Sequence, residues 1–566
     1  MLKRRELEMN HPWLKNYPED VPHEINEQEY SSIVDILNQS FHKFENRPSF
    51  TCMGKEFTYG EIDNLSKKFA SYLQNDLGLG KGARIAIMMP NILQYPIALF
   101  GALRAGMVAV NVNPLYTQRE LEHQLNDSGA EAIIIFNNSC HILQKVLPKT
   151  KIKHVITTGI GDLLGFPKSL IVNFVIKNVK KMVPAWEIEK SIKFNDALAI
   201  GDASKFKEHS VSLEDIAFLQ YTGGTTGVAK GAILTHGNIV ANMVQARAWI
   251  KEGIKEGEEI IITPLPLYHI FSLTANCFVF SSIGARNVLI TNPRDMDGFV
   301  KELSKWKFTT ITGVNTLFNA LLNNPGFKDL DFSSLKLTLG GGMAVQKKVA
   351  DQWREVTKRP LIEAYGLTET SPAACMNPLN ITAFNGKIGL PISSTIVKIL
   401  DDDGKDVETG TAGELAIKGP QVMKGYWNRD DETAKVMTED GFFKTGDIAI
   451  MDEGGFFQIV DRKKDMILVS GFNVYPNEVE DAAVTHPGIL EVAAIGVPNE
   501  KSGEAVKLFI VKKDQSLTEK MVIEHCRSVL TGYKVPKTVE FRDELPKSNV
   551  GKILRKDLRN EEVAKQ

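Results

Sequence analysis

A regular alternation of short apolar runs with helix-like segments constrains this chain more than any other feature. The run Ala83–Met88 predicts a strand, Gln94–Ala105 a helix, and Val108–Val112 the next strand. Glu131–Phe136 follows as a third strand, and the same rhythm resumes at Asp215–Tyr221. A β-α-β-α-β order is typical of parallel sheets covered by helices. We therefore predict an α/β fold with a large N-terminal domain of parallel βαβ sheets.

The segment between the second and third of these strands carries a helix-start signal. Thr117 is followed three residues later by Glu120, which is the spacing of a capping box. We therefore predict that Thr117 opens a helix.

The pattern of apolar runs changes after about residue 390. Short, glycine-punctuated runs at Ile396–Leu400, Gly413–Lys418 and Phe456–Val460 predict antiparallel strands, and therefore a β-rich subdomain. The rest of the chain predicts a small α+β unit. We expect its helices at Pro476–Thr485 and Thr518–Leu530 and its strands at Val492–Val497 and Val506–Lys512.

A charge cluster, Asp461-Arg462-Lys463-Lys464-Asp465, separates two apolar runs and marks a boundary. We predict an N-terminal domain over residues 1–460, a hinge over residues 461–465, and a small mobile C-terminal domain over residues 466–566.

Charge and cysteine content exclude several classes of protein. With 67 Lys and Arg against 69 Asp and Glu, the formal net charge is -2, so no overall field attracts nucleic acid. The five cysteines form no C-x-x-C pair and no zinc spacing, which is typical of a reducing compartment. We expect a cytoplasmic protein without a nucleic-acid partner.

No segment predicts a membrane-spanning helix. The charged N-terminus, Met1 to Trp13, lacks the apolar region of a signal peptide. The most apolar long stretch, Ile85–Val112, is interrupted by polar residues and prolines, among them Pro90 and Arg104.

Residues 163–186 contain a helix-like stretch with a narrow lysine sector and a broad apolar face. Between Leu170 and Val183, a helical projection groups Lys177, Lys180 and Lys181. A broad apolar face usually packs on the core, and we favour that interpretation, with the lysines toward water. The alternative is a basic amphipathic helix that makes a peripheral contact with the cytoplasmic face of the inner membrane.

The most informative short motif runs from Tyr221 to Gly231 and follows a predicted strand. Its glycines let the backbone approach an anion, and its threonines and Lys230 add donors and positive charge. It is not a Walker A loop, because glycine follows Lys230, and it lacks the G-x-G-x-x-G spacing. We therefore predict a phosphate-binding loop rather than a plain turn. The residues expected to bind nucleotide here are Tyr221, Thr222, Gly223, Gly224, Thr225, Thr226, Gly227 and Lys230.

Four further motifs follow this loop in a fixed order: Tyr365–Thr370, Lys444–Asp447, Asp461–Asp465 and Pro546–Lys552. Together they resemble the signatures of the adenylate-forming superfamily, and most closely those of bacterial long-chain fatty acid–CoA ligases. The resemblance covers nearly the whole chain. It implies an AMP-forming acid–thiol ligase that uses Mg²⁺, ATP and coenzyme A and acts on a long-chain fatty acid.

The implied reaction brings two anions together, because a carboxylate attacks the α-phosphate of ATP. Cationic and hydrogen-bonding groups must screen that repulsion and hold the geometry in line. The resemblance assigns magnesium binding to Glu369, with Thr225 or Thr226 beside it. It assigns catalytic contacts to Glu369, Thr226 and Lys552. Without the motifs, Glu369 is compatible with a helix-end charge and Lys552 with a surface lysine.

The resemblance also implies positions for the rest of the nucleotide and for CoA. Asp447 and Arg462 are expected at the ribose hydroxyls, and Tyr365 against the adenine ring. Domain rotation between the two half-reactions is expected at the hinge. The remaining expected binding residues are Gly341, Gly342, Gly366 and Thr368 near the adenine, Lys464 at the pivot, and Gly471 where the pantetheine arm passes.

His269 matches a family position beside the acyl site, although a hydrogen-bonded core histidine is nearly as compatible with the sequence. The same comparison predicts that segments Gly313–Leu321 and Ala374–Met376 line the acyl pocket. Their small and apolar residues permit a tunnel but do not fix its length.

Other adenylate-forming enzymes remain alternatives. An amino-acid adenylation domain carries an Asp for the substrate amine, whereas Ile270-Phe271-Ser272-Leu273 follows His269 here, and no carrier domain is expected after Lys552. A fatty acyl-AMP ligase usually has an insertion near the hinge, and none is present. A luciferase-like oxygenase has no distinct residue signal, and a non-catalytic lipid carrier would need a broken motif.

Overall fold

The computed structural model describes residues 11–222 and 229–565. Its strands, in chain order, are β1 Pro48–Cys52, β2 Lys55–Thr58, β3 Arg84–Met88, β4 Val108–Asn111, β5 Ala132–Phe136, β6 His154–Thr158, β7 Ile192–Lys193, β8 Ile216–Thr222, β9 Lys230–Thr235, β10 Ile260–Thr263, β11 Arg286–Leu289, β12 Thr310–Gly313, β13 Leu337–Gly341, β14 Leu361–Gly366, β15 Ala373–Met376, β16 Leu390–Pro391, β17 Ile396–Leu400, β18 Gly413–Lys418, β19 Phe443–Met451, β20 Phe457–Arg462, β21 Ile467–Val469, β22 Phe472–Val474, β23 Ile489–Asn499, β24 Gly503–Lys512 and β25 Thr538–Arg542.

The α-helices of the same residues, in chain order, are α1 Ile33–Lys43, α2 Tyr59–Ser71, α3 Gln94–Arg104, α4 Gln118–Ser128, α5 Cys140–Val146, α6 Lys168–Phe174, α7 Phe194–Ile200, α8 His236–Ile250, α9 Ile270–Ser272, α10 Phe280–Ser282, α11 Met296–Leu303, α12 Asn315–Asn323, α13 Lys347–Thr357, α14 Asp430–Val436, α15 Pro476–Val484, α16 Glu519–Val529 and α17 Arg555–Ala564. A π-helical stretch, Leu273–Val279, joins α9 to α10.

Two mostly parallel sheets form the large domain. One has the order β16-β15-β14-β13-β12-β10-β11-β1-β2, and the other has the order β7-β6-β5-β3-β4-β8-β9. The first is parallel from β14 to β1 and has antiparallel pairs at both edges, whereas the second is parallel from β7 to β8 and has an antiparallel pair only at the β9 edge. The predicted α/β class and its parallel βαβ sheets are therefore confirmed.

Helix α3 explains why Ile85–Val112 is so apolar. Every residue of α3 is buried, including Arg104, whose guanidinium pairs with Asp63 at 3.0 Å. A helix that is hydrophobic all round lies inside a large core. None of the helices that the structure describes is both long and apolar enough to cross a bilayer.

The later parts of the chain form smaller sheets. Strands β17 to β20 make an antiparallel four-stranded sheet, which confirms the β-rich subdomain. Strands β21 to β25, with α15 to α17, form the small α+β domain. Its core lies between the sheet and α15 and α16, and both helices begin and end within two residues of their predicted bounds.

The predicted hinge straddles the end of β20. Asp461 and Arg462 are paired with Ile448 and Asp447 of β19, so both belong to the antiparallel sheet. A turn follows at residues 463–465. The pivot expected at Lys464 therefore lies after the last strand of the large domain and before β21.

The favoured interpretation of residues 163–186 is wrong. Helix α6 ends at Phe174 and continues as a π-helical turn to Val179, and neither element contains a buried residue. The large apolar side chains point outward: Phe166 is 85% exposed, Leu170 63%, Ile171 58%, Phe174 61%, Val179 65% and Met182 50%. The ends of the segment make apolar contacts through Leu163, Leu164 and Trp186. Helix α6 itself is held by polar contacts, such as the 2.8 Å hydrogen bond from Asn173 to Asp162, and its apolar face is left uncovered.

Candidate active site

The candidate site lies at the carboxyl ends of β13 and β14, which is where open parallel sheets bind ligands. Gly341 ends β13, and Gly342 follows with a φ of +77°. A Cβ on Gly342 would lie 3.4 Å from Cε of Lys552, which places this lysine directly beside the Gly342 backbone. Gly366 ends β14, and a Cβ there would overlap the carbonyl oxygen of Pro372.

Asp447 is held from two sides. The hydroxyl of Tyr365 donates a hydrogen bond to Asp447 Oδ2 at 2.6 Å, and Arg462 Nε lies 3.5 Å from Oδ1. Burial and the neighbouring carboxylate raise the pKa of Tyr365 well above its usual value, so this phenol stays a donor. Tyr365, Asp447 and Arg462, which were predicted around the adenine and ribose, therefore lie together. The hydrogen bond by which Tyr365 orients Asp447 was not predicted from the sequence.

Glu369 lies in a 3₁₀ turn, Thr368–Thr370, directly after β14. Its Oε1 accepts a hydrogen bond of 2.7 Å from the hydroxyl of Tyr426. Burial raises the pKa of Glu369, and the hydrogen bond from Tyr426 and the positive charge of Lys230 act against that rise.

Tyr426 was missed in the sequence because it lies 57 positions from Glu369 and outside the five motifs. Its ring also faces Lys230, whose Nζ lies 4.5 Å from the ring centroid and 3.0 Å from Glu432 Oε2. One side chain thus contacts both the carboxylate expected to bind magnesium and the lysine of the phosphate loop.

Lys552 reaches this site from the small domain. The carbonyl of Gly551 accepts a hydrogen bond of 2.9 Å from the hydroxyl of Thr316 in α12. Burial and the charge of Arg462 lower the pKa of Lys552 to about 8, although the carboxylates of Asp447 and Glu369 act to raise it. The predicted lysine, ribose carboxylate and magnesium carboxylate are therefore close enough to interact.

His269 lies directly before α9, and its Nδ1 accepts a hydrogen bond of 3.3 Å from the backbone N–H of Phe271. Burial and the Lys552 cation lower the pKa of His269 to about 3, so the imidazole is neutral. With Nδ1 accepting, its proton resides on Nε2. His269 thus caps the N-terminus of α9, as a structural histidine would, and it also lies near Lys552.

The side chains of the two segments predicted to line the acyl pocket lie in different surroundings. In Gly313–Leu321, Thr316 contacts the loop of Lys552, whereas Phe318 and Leu321 are buried in the core around Trp353. The side chains of Ala374–Met376 are buried in β15.

The phosphate loop is described only at its two ends. Thr222 ends β8 and pairs with Lys230 in β9, while the Tyr221 hydroxyl donates to Asp127 at 2.6 Å. Gly223, Gly224, Thr225, Thr226 and Gly227 lie outside the described residues.

The last two predicted residues lie at the margin of the site or outside it in this orientation. Lys464 is exposed in the turn after β20, within electrostatic reach of Arg462 and Asp447. Gly471, with a φ of +84°, forms the tip of the β21–β22 hairpin with Ser470, and no heavy atom lies within 4 Å of its would-be Cβ. This small-domain orientation presents Lys552 and leaves Gly471 turned to solvent.

The site fits a magnesium ion that is held mainly by phosphates. No group of three or more possible metal ligands occurs in the part of the chain that the structure describes. Magnesium needs few protein ligands, because it keeps several waters and binds through one or two carboxylates plus substrate phosphates. Glu369 is such a carboxylate: it is 8% exposed, and Tyr426 occupies only Oε1.

The chain is similar to known proteins over nearly its whole length. Residues 37–427 match the family described as AMP-binding enzyme, and residues 478–552 match the AMP-binding enzyme C-terminal domain. The chain is similar to the long-chain-fatty-acid–CoA ligase of Escherichia coli O6:H1, with 58% identity over 553 residues, 98% of each protein. It is 38% identical over 568 residues to the long-chain-fatty-acid–CoA ligase of Bacillus subtilis (strain 168), covering 98% of this chain and 99% of that protein. The structure of ATP-bound MatB from Rhodopseudomonas palustris superposes with a TM-score of 0.81 at 26% identity, covering 93% of this chain and 98% of that chain.

Proposed function

Because the chain belongs to the family of AMP-binding enzymes, we propose that it is a long-chain fatty acid–CoA ligase. It converts ATP, a long-chain fatty acid and CoA to acyl-CoA, AMP and diphosphate through an acyl-adenylate. The observation that carries this proposal is the position of Lys552, which lies against Gly342 at the end of β13 and within electrostatic reach of Asp447 and Glu369. The full-length similarity to ligases of this name supports the substrate class.

In the first half-reaction, a carboxylate oxygen of the fatty acid attacks the α-phosphorus, and the bond to the β-phosphate oxygen breaks. Lys552 places one positive charge where the carboxylate and the α-phosphate meet, which lowers their repulsion. Asp447 accepts hydrogen bonds from the ribose hydroxyls while Tyr365 and Arg462 fix its orientation. Magnesium, when bound by Glu369 with Thr225, neutralises charge on the phosphate oxygens.

The remaining assignments concern the loop and the second half-reaction. Thr226 and the rest of the loop through Lys230 hold the phosphates. The small domain, residues 466–566, then rotates relative to residues 1–460 about Lys464. Gly471 replaces Lys552 beside the adenylate, where the CoA sulfur attacks the acyl carbon and AMP leaves. His269 borders the acyl group as a neutral imidazole.

Product analysis tests this function. The purified chain is incubated with ATP, magnesium, CoA and palmitate, and nucleotides, diphosphate and palmitoyl-CoA are quantified. We expect equal amounts of AMP, diphosphate and palmitoyl-CoA. When CoA is omitted, we expect palmitoyl-AMP and diphosphate in equal amounts and no palmitoyl-CoA. Formation of ADP and phosphate, or activity restricted to acetate or amino acids, would contradict the proposal.

A peripheral membrane contact is a further part of the proposed function. The segment Leu163–Trp186, called the basic apolar segment below, contains four lysines and no acidic residue. Its lysines at 177, 180 and 181 are exposed, as are the apolar side chains on α6. Contiguous exposed apolar groups beside lysines match a bilayer surface with anionic lipid, because the side chains insert while the charges meet headgroups.

The expected attachment is weak and sensitive to salt. Each lysine near an anionic surface contributes about 1 kcal/mol, and this attraction falls off within a Debye length. The inserted apolar side chains add to it without depending on salt. A long-chain substrate dissolves in the same bilayer, so this contact places the enzyme where its substrate collects.

Vesicle sedimentation tests the contact. We expect wild type to bind phosphatidylglycerol-containing vesicles at low salt, and both Lys177→Glu/Lys180→Glu/Lys181→Glu and Leu170→Ser/Ile171→Ser/Phe174→Ser to bind far less. The matched control, Lys251→Glu/Lys255→Glu/Lys328→Glu, changes net charge equally at exposed lysines elsewhere and should bind like wild type. Equal binding by all four proteins would remove the basic apolar segment from this role.

A further inference from the structure

Asp461 belongs to the large domain but contacts the small one. It lies in β20 opposite Ile448, before the expected pivot at Lys464, and its side chain is fully buried. Its Oδ2 accepts a hydrogen bond of 2.8 Å from the backbone N–H of Asn477, in the first turn of α15. The N-cap residue of α15, Tyr475, provides no side-chain cap. The small domain's helix is therefore capped by a carboxylate from the other side of the pivot, a stabilising arrangement at a helix N-terminus.

Arg555 adds a second contact across the pivot. Its Nε and Nη2 donate to the two oxygens of Glu480 at 2.9 and 2.7 Å, which fixes the guanidinium within the small domain. Its Nη1 then lies 3.6 Å from Asp461 Oδ1 and 3.6 Å from Asp465 Oδ2. One guanidinium thus faces a carboxylate on each side of Lys464.

The same short segment carries the lysine of the active site. Arg555 is three residues after Lys552, and the carbonyl of Gly551 is hydrogen-bonded to Thr316 of the large domain. A shift of Arg555 away from Asp461 therefore moves the segment that holds Lys552 beside Gly342.

We propose that Asp461 is a positioning residue, which holds the small domain in the orientation that brings Lys552 to the active site. The proposal rests on the domain rotation in the proposed function. Rotation about Lys464 leaves Asp461 with β20, whereas Asn477 and Arg555 move with the small domain. Both contacts of Asp461 with the small domain must then break before thioester formation, whereas its hydrogen bond from the Arg462 N–H stays within β20. The two contacts with the small domain therefore favour the adenylation orientation alone.

The substitution Asp461→Asn tests this in the full-length protein. We expect adenylation, measured by ATP–diphosphate exchange with palmitate, to fall about tenfold, the scale for losing one charged hydrogen-bond partner. Thioester formation from supplied palmitoyl-AMP and CoA should stay the same or become faster. The matched control is Asp465→Asn, which faces the same arginine at the same distance but lies after the pivot. It should leave the ratio of the two half-reaction rates unchanged.

Equal loss of both half-reactions in Asp461→Asn, or the same change of ratio in Asp465→Asn, would overturn the role of Asp461. Failure of the proposed function would look different, because wild type itself would then show no ATP–diphosphate exchange with palmitate.

Hydrogen exchange of wild type gives a second readout that needs no variant. With a palmitoyl-sulfamoyl adenosine analogue bound, the backbone amide hydrogens in the first turn of α15 should exchange slowly. They should exchange faster once CoA is added. Unchanged protection on addition of CoA would also contradict the proposal.

Discussion

The hydroxyl of Tyr426 donates a hydrogen bond of 2.7 Å to the carboxylate of Glu369, and the ring of the same tyrosine faces Lys230. Removing this hydroxyl leaves a buried carboxylate with one partner fewer, and its orientation for magnesium is lost. A hydrogen bond to a charged group contributes about 1.5 to 3 kcal/mol, so we expect Tyr426→Phe to raise the magnesium concentration for half-maximal adenylation about tenfold or more. The measurement is ATP–diphosphate exchange across a magnesium titration.

Tyr59→Phe is the matched control for Tyr426→Phe. The Tyr59 hydroxyl makes an equally short hydrogen bond of 2.7 Å, to the carbonyl of Ala285 in the core. We expect this variant to lose stability but to keep the wild-type magnesium dependence. The same magnesium shift in both variants would show that Tyr426 acts only through stability.

Lys552 should matter for one half-reaction and not for the other. In the proposed mechanism its positive charge screens the approach of carboxylate to phosphate, so Lys552→Ala should lower adenylation by roughly a hundredfold to a thousandfold. Thioester formation from supplied acyl-AMP should remain near the wild-type rate. Lys547→Ala serves as the control, because that lysine lies in the same loop but pairs with Glu491 at 2.7 Å. Parallel loss of both half-reactions in Lys552→Ala would contradict the assignment.

The pH dependence of adenylation should report the same lysine. Burial lowers the pKa of Lys552 to about 8, and the reaction uses the protonated form. For the free enzyme, kcat/KM for adenylation should therefore be at its plateau below this pKa and should fall as the pH rises through it. Lys552→Arg keeps its charge over this range, so its decline should move to higher pH. An identical alkaline decline in both proteins would assign that titration to another group.

The pivot can be tested without removing a contact. No backbone hydrogen bond of the Lys464 N–H is present among residues 11–222 and 229–565, so proline there removes none. Proline fixes φ near -65°, which restricts rotation, and Lys464→Pro should slow thioester formation more than adenylation. Lys464→Ala removes the same side chain but leaves φ free, and it should keep the ratio of the two rates. Normal rates of both steps in the proline variant would place the pivot elsewhere.

Local signals in the sequence predicted local structure well. The Thr117–Glu120 capping box is present, with Glu120 N–H donating to Thr117 and the Glu120 carboxylate accepting from the Thr117 N–H. Helix α3 begins at the predicted residue and ends one residue early. Such features depend on neighbours a few positions apart, so the chain reveals them directly.

Contacts between residues that are far apart in the chain were not predicted from the sequence. Tyr426 meets Glu369, and Arg555 meets Asp461, only because the fold joins distant segments. The failure at α6 has a related cause: amphipathicity shows that a helix has an apolar face but not whether another element covers it. Here polar contacts through Asn173 hold the segment, and the apolar face is left exposed.

Transfer of an oxygen atom from the fatty acid to AMP tests the acyl-adenylate most directly. Palmitate labelled with oxygen-18 in its carboxylate is converted with ATP, magnesium and CoA, and AMP is analysed by mass spectrometry. Attack of the carboxylate on the α-phosphorus, followed by attack of CoA sulfur on the acyl carbon, leaves one carboxylate oxygen on the phosphate. We predict that each AMP carries one oxygen-18 atom. The thioester carbonyl of palmitoyl-CoA keeps the other labelled oxygen in either case. Unlabelled AMP, with the displaced oxygen-18 found in diphosphate or water, would contradict an acyl-adenylate intermediate.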